Sequence, residues 1–404
     1  MTQERLLTEG FKQTPIGPIP EDWETKRLEE VCSHFKSGFG ITSDNISDFG
    51  NYPVFGGNGL RGYTDTYTHN GNFILIGRQG ALCGNIQKIS NKVYLSEHAI
   101  AVQIKENYSL DFLAYKLDFI NLNRLSESSA QPDLAVEKLL RLRVGFPPFP
   151  EQTAIAECLS PWDEAISKTQ ALIKQKQLRK KWLMQQLLTG KKRLKGFEGE
   201  WKKVRMKDLF ERVTRKNAEV NTNVVTISVQ QGFVLQTDFF NKSIASDILD
   251  NYFLVEKGEF CYNKSYSNGY PWGATKRLKD FDKAVVTTLY ISFKIKDLWG
   301  NSGDFFEYFF EANSLDRGLT KIAHEGGRAH GLLNVTPGDF FELQIIVPAY
   351  NEQLAIAQRL QTADNEIALL KTKLDYLKEQ KKGLMQVLLT GKRRLINCFD
   401  NYEN

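Results

Sequence analysis

The stretch MQQLLTGKKRL, residues 184–194, returns as MQVLLTGKRRL at residues 385–395. The same shift of 201 residues aligns EQTAIAECLSPWDEAI (151–166) with EQLAIAQRLQTADNEI (352–367). Two long helical segments are therefore duplicates. In the second copy Ile367, Leu370, Leu374, Leu377, Leu384 and Leu388 fall at alternating steps of three and four, interrupted only by Lys381, which is a coiled-coil seam. The first copy carries Ile166, Ile173, Leu183 and Leu187 in that register, with Thr169, Lys176 and Lys180 as its weaker members. Neither seam suits solvent, and antiparallel packing of the two copies on each other is the economical solution.

The ends of these segments are also marked. Ser160 before Pro161 predicts a capped helix start, and the aligned Thr362 predicts the same in the second copy. Gly190 and Gly391, each followed by basic residues, predict the stops. At about 1.5 Å per residue, Pro161 to Leu188 is a rod of roughly 42 Å, a natural ruler. A weaker echo opens the chain: RLLTEGFKQTPIGPIPEDW resembles QLLTGKKRLKGFEGEW, aligning Leu6, Leu7, Thr8 and Gly10 with the stop signal and Trp23 with Trp201. The chain begins in the unit with which its middle ends, as a pseudo-twofold, circularly organised molecule would.

At 404 residues the chain exceeds one ordinary core. Its 41% hydrophobic and 25% charged residues describe a folded globular protein. A net charge of +5 is compatible with nucleic acid without demanding it. Cys32, Cys83, Cys158, Cys261 and Cys398 are scattered without a CxxC pair, which points to neither a disulfide framework nor zinc, and to a reducing cytoplasm. No run approaches the roughly 18 apolar residues of a membrane helix, and MTQERLLTEG has no apolar signal core.

Between Trp23 and Pro147, and between Trp201 and Pro348, the text turns β-rich. NFILIG, KVYLS and AIAVQI in the first part, with NVVTISV, EFCYN and AVVTTLYISFKI in the second, read as strands. Each part then carries one amphipathic helix, SLDFLAYKLDFINL or SGDFFEYFFEANS, and closes on an apolar stretch ending in proline. Element order is shared while residue identity is mostly lost.

Catalytic signals fail on context. FGGNG (55–59) fits a loose S-adenosylmethionine loop, but such a loop runs from strand to helix, and LRGYTDTYTHNG after it reads as turns. FPPF (146–149) lacks the hydrogen-bond acceptor that an amino-methyltransferase needs before its prolines. QPDLAVEK lacks the acid-x-lysine spacing of a nuclease, and His324 and His330 lack metal-ligand spacing. The basic run is more informative, because Ala165 to Phe197 contains no acidic residue. Alone it would be a solvated face; on a rod between two globules, Lys174, Lys176, Arg179, Lys180 and Lys181 become candidates for phosphate contact. Loops mixing glycine with Arg, Lys, Asn, Gln and aromatics supply candidate base readers: Asn58, Arg61, Tyr63, Arg78, Gln79 and Asn85 in the first globule, and Lys264, Tyr266, Asn268, Trp272, Lys276 and Arg328 in the second.

The combination EQ..IA..L, an aspartate four residues further on, a long helix and LMQ..LLTGK.R, following each of two divergent globules, closely resembles the specificity subunit of type I restriction-modification enzymes. YPVFGGNGLRGYTD, ILIGRQG and the CG after it look like that family's target recognition domains. The resemblance covers essentially the whole chain. It implies an α+β fold with two mixed α/β target recognition domains (23–147 and 197–347) separated by two long antiparallel helices. Spacer segments would occupy 148–196 and 348–404, with 1–22 completing the repeat. It implies a non-catalytic, cytoplasmic reader of a bipartite asymmetric site in double-stranded DNA, with no cofactor of its own. Two modification subunits would carry S-adenosylmethionine and adenine methylation, and motor-nuclease restriction subunits could join. The competing readings are a stand-alone methyltransferase built on FGGNG and a coiled-coil adaptor that never touches DNA.

Overall fold

The computed structural model describes residues 9–80, 82–126, 132–239, 249–267, 269–298, 300–323 and 333–395. The chain divides into two units. Unit 1 combines Met1–Gln170 with Thr372–Asn404, so it is built from both chain ends, and unit 2 is Ala171–Lys371.

Unit 1 holds a four-stranded antiparallel sheet in the order Cys32–Ser37, Ala99–Ile104, Phe73–Gly77, Ile86–Ile89. Its central strands are apolar on both faces because both are covered: Ile74, Ile76, Ile100 and Val102 face the main core, while Phe73, Leu75, Ala99 and Ala101 face a smaller cluster. Unit 2 repeats the order with Phe210–Arg212, Ile291–Ile295, Phe260–Asn263 and Ala274–Arg277. Its main core takes Phe260, Tyr262, Ile291 and Phe293, and the alternate Cys261 faces the second cluster.

Smaller parts correspond as well. A two-stranded ribbon pairs Glu24–Arg27 with Arg143–Phe146, and another pairs Lys202–Arg205 with Gln344–Val347. Both feed a single helical turn whose first amide bonds back to the partner segment, Leu28 to the Leu142 carbonyl at 3.1 Å and Met206 to that of Leu343 at 2.8 Å. The amphipathic helices Leu110–Ile120 and Gly303–Glu311 start at Ser109 and Ser302, whose hydroxyls each accept an amide three residues on.

The long helices run from Phe149 to Leu187 and from Tyr350 to Leu388, 39 residues each. This corrects the starts expected at Ser160 and Thr362. Pro161 lies inside the first helix, and the Thr362 hydroxyl back-bonds to the Gln358 carbonyl at 2.8 Å, a mid-helix habit. The turns before Pro161 are held by packing: Ile155, Ala156 and Leu159 are buried in the unit 1 core, which outweighs one lost helical amide. The stops are as expected, with Gly190 and Gly391 at φ of +69° and +72°. Two further readings change. AVVTTLYISFKI is two strands, Lys283–Val286 and Ile291–Ile295. The residues after FGGNG are not only turns, because Tyr52–Gly56 and Gly59–Thr64 form a hairpin around it.

Within each unit the long segments are antiparallel. In unit 1 Asp163 meets Lys381 and Glu151 meets Arg394; in unit 2 Lys180 meets Asp364, Lys176 meets Glu366 and Arg193 meets Glu352. The repeated EQ is what joins helix to globule. Glu151 is buried, accepts the Trp23 indole at 3.2 Å, and receives Arg394 through Nε and Nη2 at 2.8 Å. Glu352 does the same with Trp201 at 3.2 Å and Arg193 at 2.5 and 2.6 Å. Gln152 accepts the Ser109 amide and donates to the Pro147 carbonyl, and Gln353 treats Ser302 and Pro348 alike. Each EQ therefore grips the end of the other repeat's LLTGK.R.

The polar residues in the seams have a matching explanation. Lys381 sits 2.6 Å from Asp163, which also accepts the Tyr115 hydroxyl at 2.6 Å, and its ammonium lies 5.0 Å from the Tyr115 ring centroid. Lys180, Asp364 and Tyr308 repeat the triad at 2.7, 2.7 and 5.3 Å. Burial, followed by the hydrogen bond to the carboxylate, drives both phenols above their ordinary range.

Candidate nucleic-acid interface

The central strand of each four-stranded sheet delivers one cation to the same place. After Phe73–Gly77 comes Arg78, whose carbonyl accepts the Leu134 amide at 3.1 Å. After Phe260–Asn263 comes Lys264, whose carbonyl accepts the Leu333 amide at 3.0 Å. These are equivalent positions carrying different side chains.

Around Arg78 several loops converge. A Cβ on Gly57 would lie 2.7 Å from the His98 carbonyl and 3.2 Å from that of Gln79, so only glycine admits this approach. That contact brings the exposed Asn58 turn beside Arg78 and Gln79. Gln79 pairs with the His98 ring at 2.8 Å. Arg78 Nη1 donates to the Ser37 hydroxyl at 3.3 Å, and its Nε stands 3.4 Å from Asp133. Arg61 is exposed on the hairpin strand, with its Cδ 2.8 Å from where a Gly56 Cβ would be. Asn85 is half-buried, and its carbonyl accepts the Gly77 amide at 2.9 Å. Tyr63 lies further along that strand, bonded through its backbone to Ser47.

In unit 2 Lys264 Nζ reaches the Val335 carbonyl at 3.5 Å. Burial, with Arg212 adding to it, pulls this ammonium below the ordinary lysine range. Lys276, on the neighbouring strand and 5.5 Å above the Tyr270 ring, is also lowered, mainly by burial. An anionic or acceptor group arriving beside either lysine favours the charged form and reverses that cost. Tyr266 is 66% exposed, whereas Trp272 is packed against the core. Asn268 and Arg328, like His324 and His330, lie outside the described residues.

Along the first long helix Lys174, Arg179 and Lys181 are exposed. Lys176 and Lys180 are instead turned to Glu366 and Asp364 as seam ion pairs. Reading the sequence missed Ser37, His98 and Arg212 and weighed Asp133 only as a nuclease acid in QPDLAVEK, whereas all four stand around the two lead cations. Each comes from a segment remote in sequence, and none sits in a motif of its own.

Residues 20–176 match the family model of the type I restriction modification DNA specificity domain. The EcoprrI specificity subunit of Escherichia coli is 45% identical over 165 residues, which are 40% of this chain and 39% of that subunit. The putative MjaX specificity subunit of Methanocaldococcus jannaschii is 24% identical over 96% of this chain and 97% of its own length. The family model thus covers residues 20–176, and the likenesses that run over nearly the whole chain are to specificity subunits of type I restriction-modification enzymes. The crystal structure of the Mycoplasma genitalium type I S subunit, at 17% identity, superposes with a TM-score of 0.59 over 91% of this chain and 96% of the other. That likeness is one of fold, two mixed α/β regions with long helices. Among the described residues no group of His, Cys, Asp and Glu is placed to hold a metal, and no helix is long and apolar enough to cross a membrane.

Proposed function

We propose that this chain is the specificity subunit of a type I restriction-modification system, its non-catalytic, cytoplasmic DNA reader. Each unit's globular domain reads one half of a bipartite, asymmetric site in double-stranded DNA. The observation that carries this reading is the placement of Arg78 and Lys264 at equivalent positions on equivalent sheets, surrounded by dissimilar loops. An arginine fork favours a guanine edge, and the half-buried ammonium of Lys264 offers a point charge in place of a planar fork, so one frame presents two addresses. Asn58, Arg61, Gln79, Tyr266 and Lys276 extend the two surfaces, and the exposed Lys174, Arg179 and Lys181 contribute phosphate contacts. The domains run over 23–147 and 197–347, and the helices set the unread gap between half-sites. Two modification subunits dock on the repeated frame and supply S-adenosylmethionine and adenine methylation, and restriction subunits join for cleavage.

The test is to express the chain with its modification partner and map methylated adenines after Arg78→Ala or Lys264→Ala. Each substitution alters one half of the recognised site and leaves the other intact, with roughly 1–3 kcal/mol of discrimination lost at the affected base. Loss spread evenly over all sequences overturns base reading and reduces both residues to phosphate contacts.

A further inference from the structure

In unit 1 the N-terminal hairpin, Phe11–Thr14 paired with Gly17–Pro20, walls a cleft of about 540 Å³ beside the end of the second long helix, next to Trp23, Leu142 and Leu389. Its apolar tip covers the ribbon strand: a Cβ on Gly145 would stand 3.4 Å from Ile16 and 3.6 Å from Ile19. Trp23 is thereby fully buried.

Unit 2 builds the same cleft without a hairpin. It measures about 980 Å³ and is lined by the counterpart residues Trp201, Leu343 and Leu188. Where unit 1 has the covered Gly145, one repeat later unit 2 has Ile346, which is 53% exposed, and Trp201 is only half-buried. The rim is basic. Lys191, Lys203, Arg317 and Lys321 line it without an ion pair among the described residues, and the one lining carboxylate, Glu342, is already held by Arg205 and Lys207.

We propose that this unit 2 cleft docks an extended or hairpin segment of a partner protein, apolar with isoleucine and proline at its tip and acidic at its flanks. Such a segment covers Ile346 as residues 16–19 cover Gly145, while its carboxylates meet the basic rim. Duplex DNA, which the rim alone would also attract, does not account for an exposed isoleucine and a half-buried tryptophan on the floor. The inference does not depend on which bases the loops read.

The probe is a fluorescent peptide with the sequence of residues 9–22, EGFKQTPIGPIPED, titrated into the full-length chain by anisotropy. Saturable one-to-one binding is expected, weakened at least tenfold by Ile346→Asp and several-fold by Lys321→Glu, and abolished when both peptide isoleucines are serine. Ile346 and Lys321 are surface residues, so circular dichroism should show both variants folded, and the peptide change leaves the protein untouched. Absence of binding at millimolar peptide, equal affinity for the Ile346→Asp chain, or equal affinity of the serine peptide each overturns the proposal. Protection of Lys191 and Lys321 from amine labelling by duplex DNA, without peptide binding, would assign the rim to nucleic acid instead.

Discussion

The cores of the two units fill one frame with different material. Unit 1 packs Ile74, Ile76, Ile100, Val102 and Leu113 around its sheet, where unit 2 packs Phe210, Phe260, Phe293, Phe306 and Phe310. The rings around Phe210 contact it edge-on or tilted, with the Phe306 centroid at 4.8 Å. By contrast the junction is copied almost residue for residue: Glu151 and Glu352, Gln152 and Gln353, Trp23 and Trp201, Arg394 and Arg193. A hydrophobic interior tolerates exchange of shape if volume is kept, whereas a buried carboxylate with three donors, as at Glu352, or four, as at Glu151, tolerates nothing else in its place. Divergence therefore follows chemistry, with interiors and loops free to drift and the charged joint fixed.

The largest expected effect lies in the copied part. Glu151→Ala takes the acceptor from the Trp23 indole and leaves Arg394 to Asp22 alone, at about 3 kcal/mol in urea denaturation, and Glu352→Ala, which leaves Arg193 with no carboxylate among the described residues, should cost about 4 kcal/mol. A loss below about 1 kcal/mol for either would show that the joint is dispensable. The divergent part should behave unequally. Phe210 and Cys32 each open the first strand of the sheet after the single helical turn, so Phe210→Ala should cost about 3 kcal/mol more than Cys32→Ala. Equal losses would mean that the aromatic cluster adds nothing beyond its position.

How much of this was legible varied with the range of the interaction. The repeat displayed both helices, their antiparallel partnership and their glycine stops, because a seam and a left-handed stop are local patterns. Lys381, Lys176 and Lys180 looked like defects in the seam, since their partners Asp163, Glu366 and Asp364 lie on the other helix. The aspartate after EQ..IA..L was visible in both copies, and it is the one local sign of that pairing. Ser160–Pro161 misled because a cap-and-proline pair also fits inside a helix whose first turns are anchored by Ile155 and Leu159. Arg78 and Lys264 stood out by residue type, but their equivalence needed sheet order, and Ser37 and Asp133 needed the folded chain.

Seam triads sharpen the comparison at smaller scale. Asp163→Ala removes the acceptor of both Lys381 and Tyr115, and Asp364→Ala does the same to Lys180 and Tyr308. Both carboxylates are more than a third exposed, so the expected cost is about 2 kcal/mol each rather than that of a fully buried pair. In a double-mutant cycle Asp163 and Lys381 should couple by about 1 kcal/mol, and additive losses would reduce the triad to coincidence of position.

The smallest effect carries the clearest sign. Lys116 and Phe309 follow the two triad tyrosines, and unit 1 thus buries an ammonium where unit 2 buries a ring. Lys116 donates to the Leu389 carbonyl at the helix end, and burial lowers its pKa to about 8. Below pH 8 both folded and unfolded chains hold the proton and the folded state bears the full desolvation cost, about 3 kcal/mol at most. Between pH 8 and the ordinary lysine value only the unfolded chain holds it, so the wild-type chain gains stability as pH rises. Lys116→Met removes that cost but leaves the Leu389 carbonyl unpaired, at about 1–2 kcal/mol. The variant should therefore be more stable by about 1 kcal/mol at pH 7, and the advantage should vanish or reverse by pH 9.5. Melts at the two pH values decide it, because a constant offset between variant and wild type would mean that Lys116 keeps its proton in the fold at both.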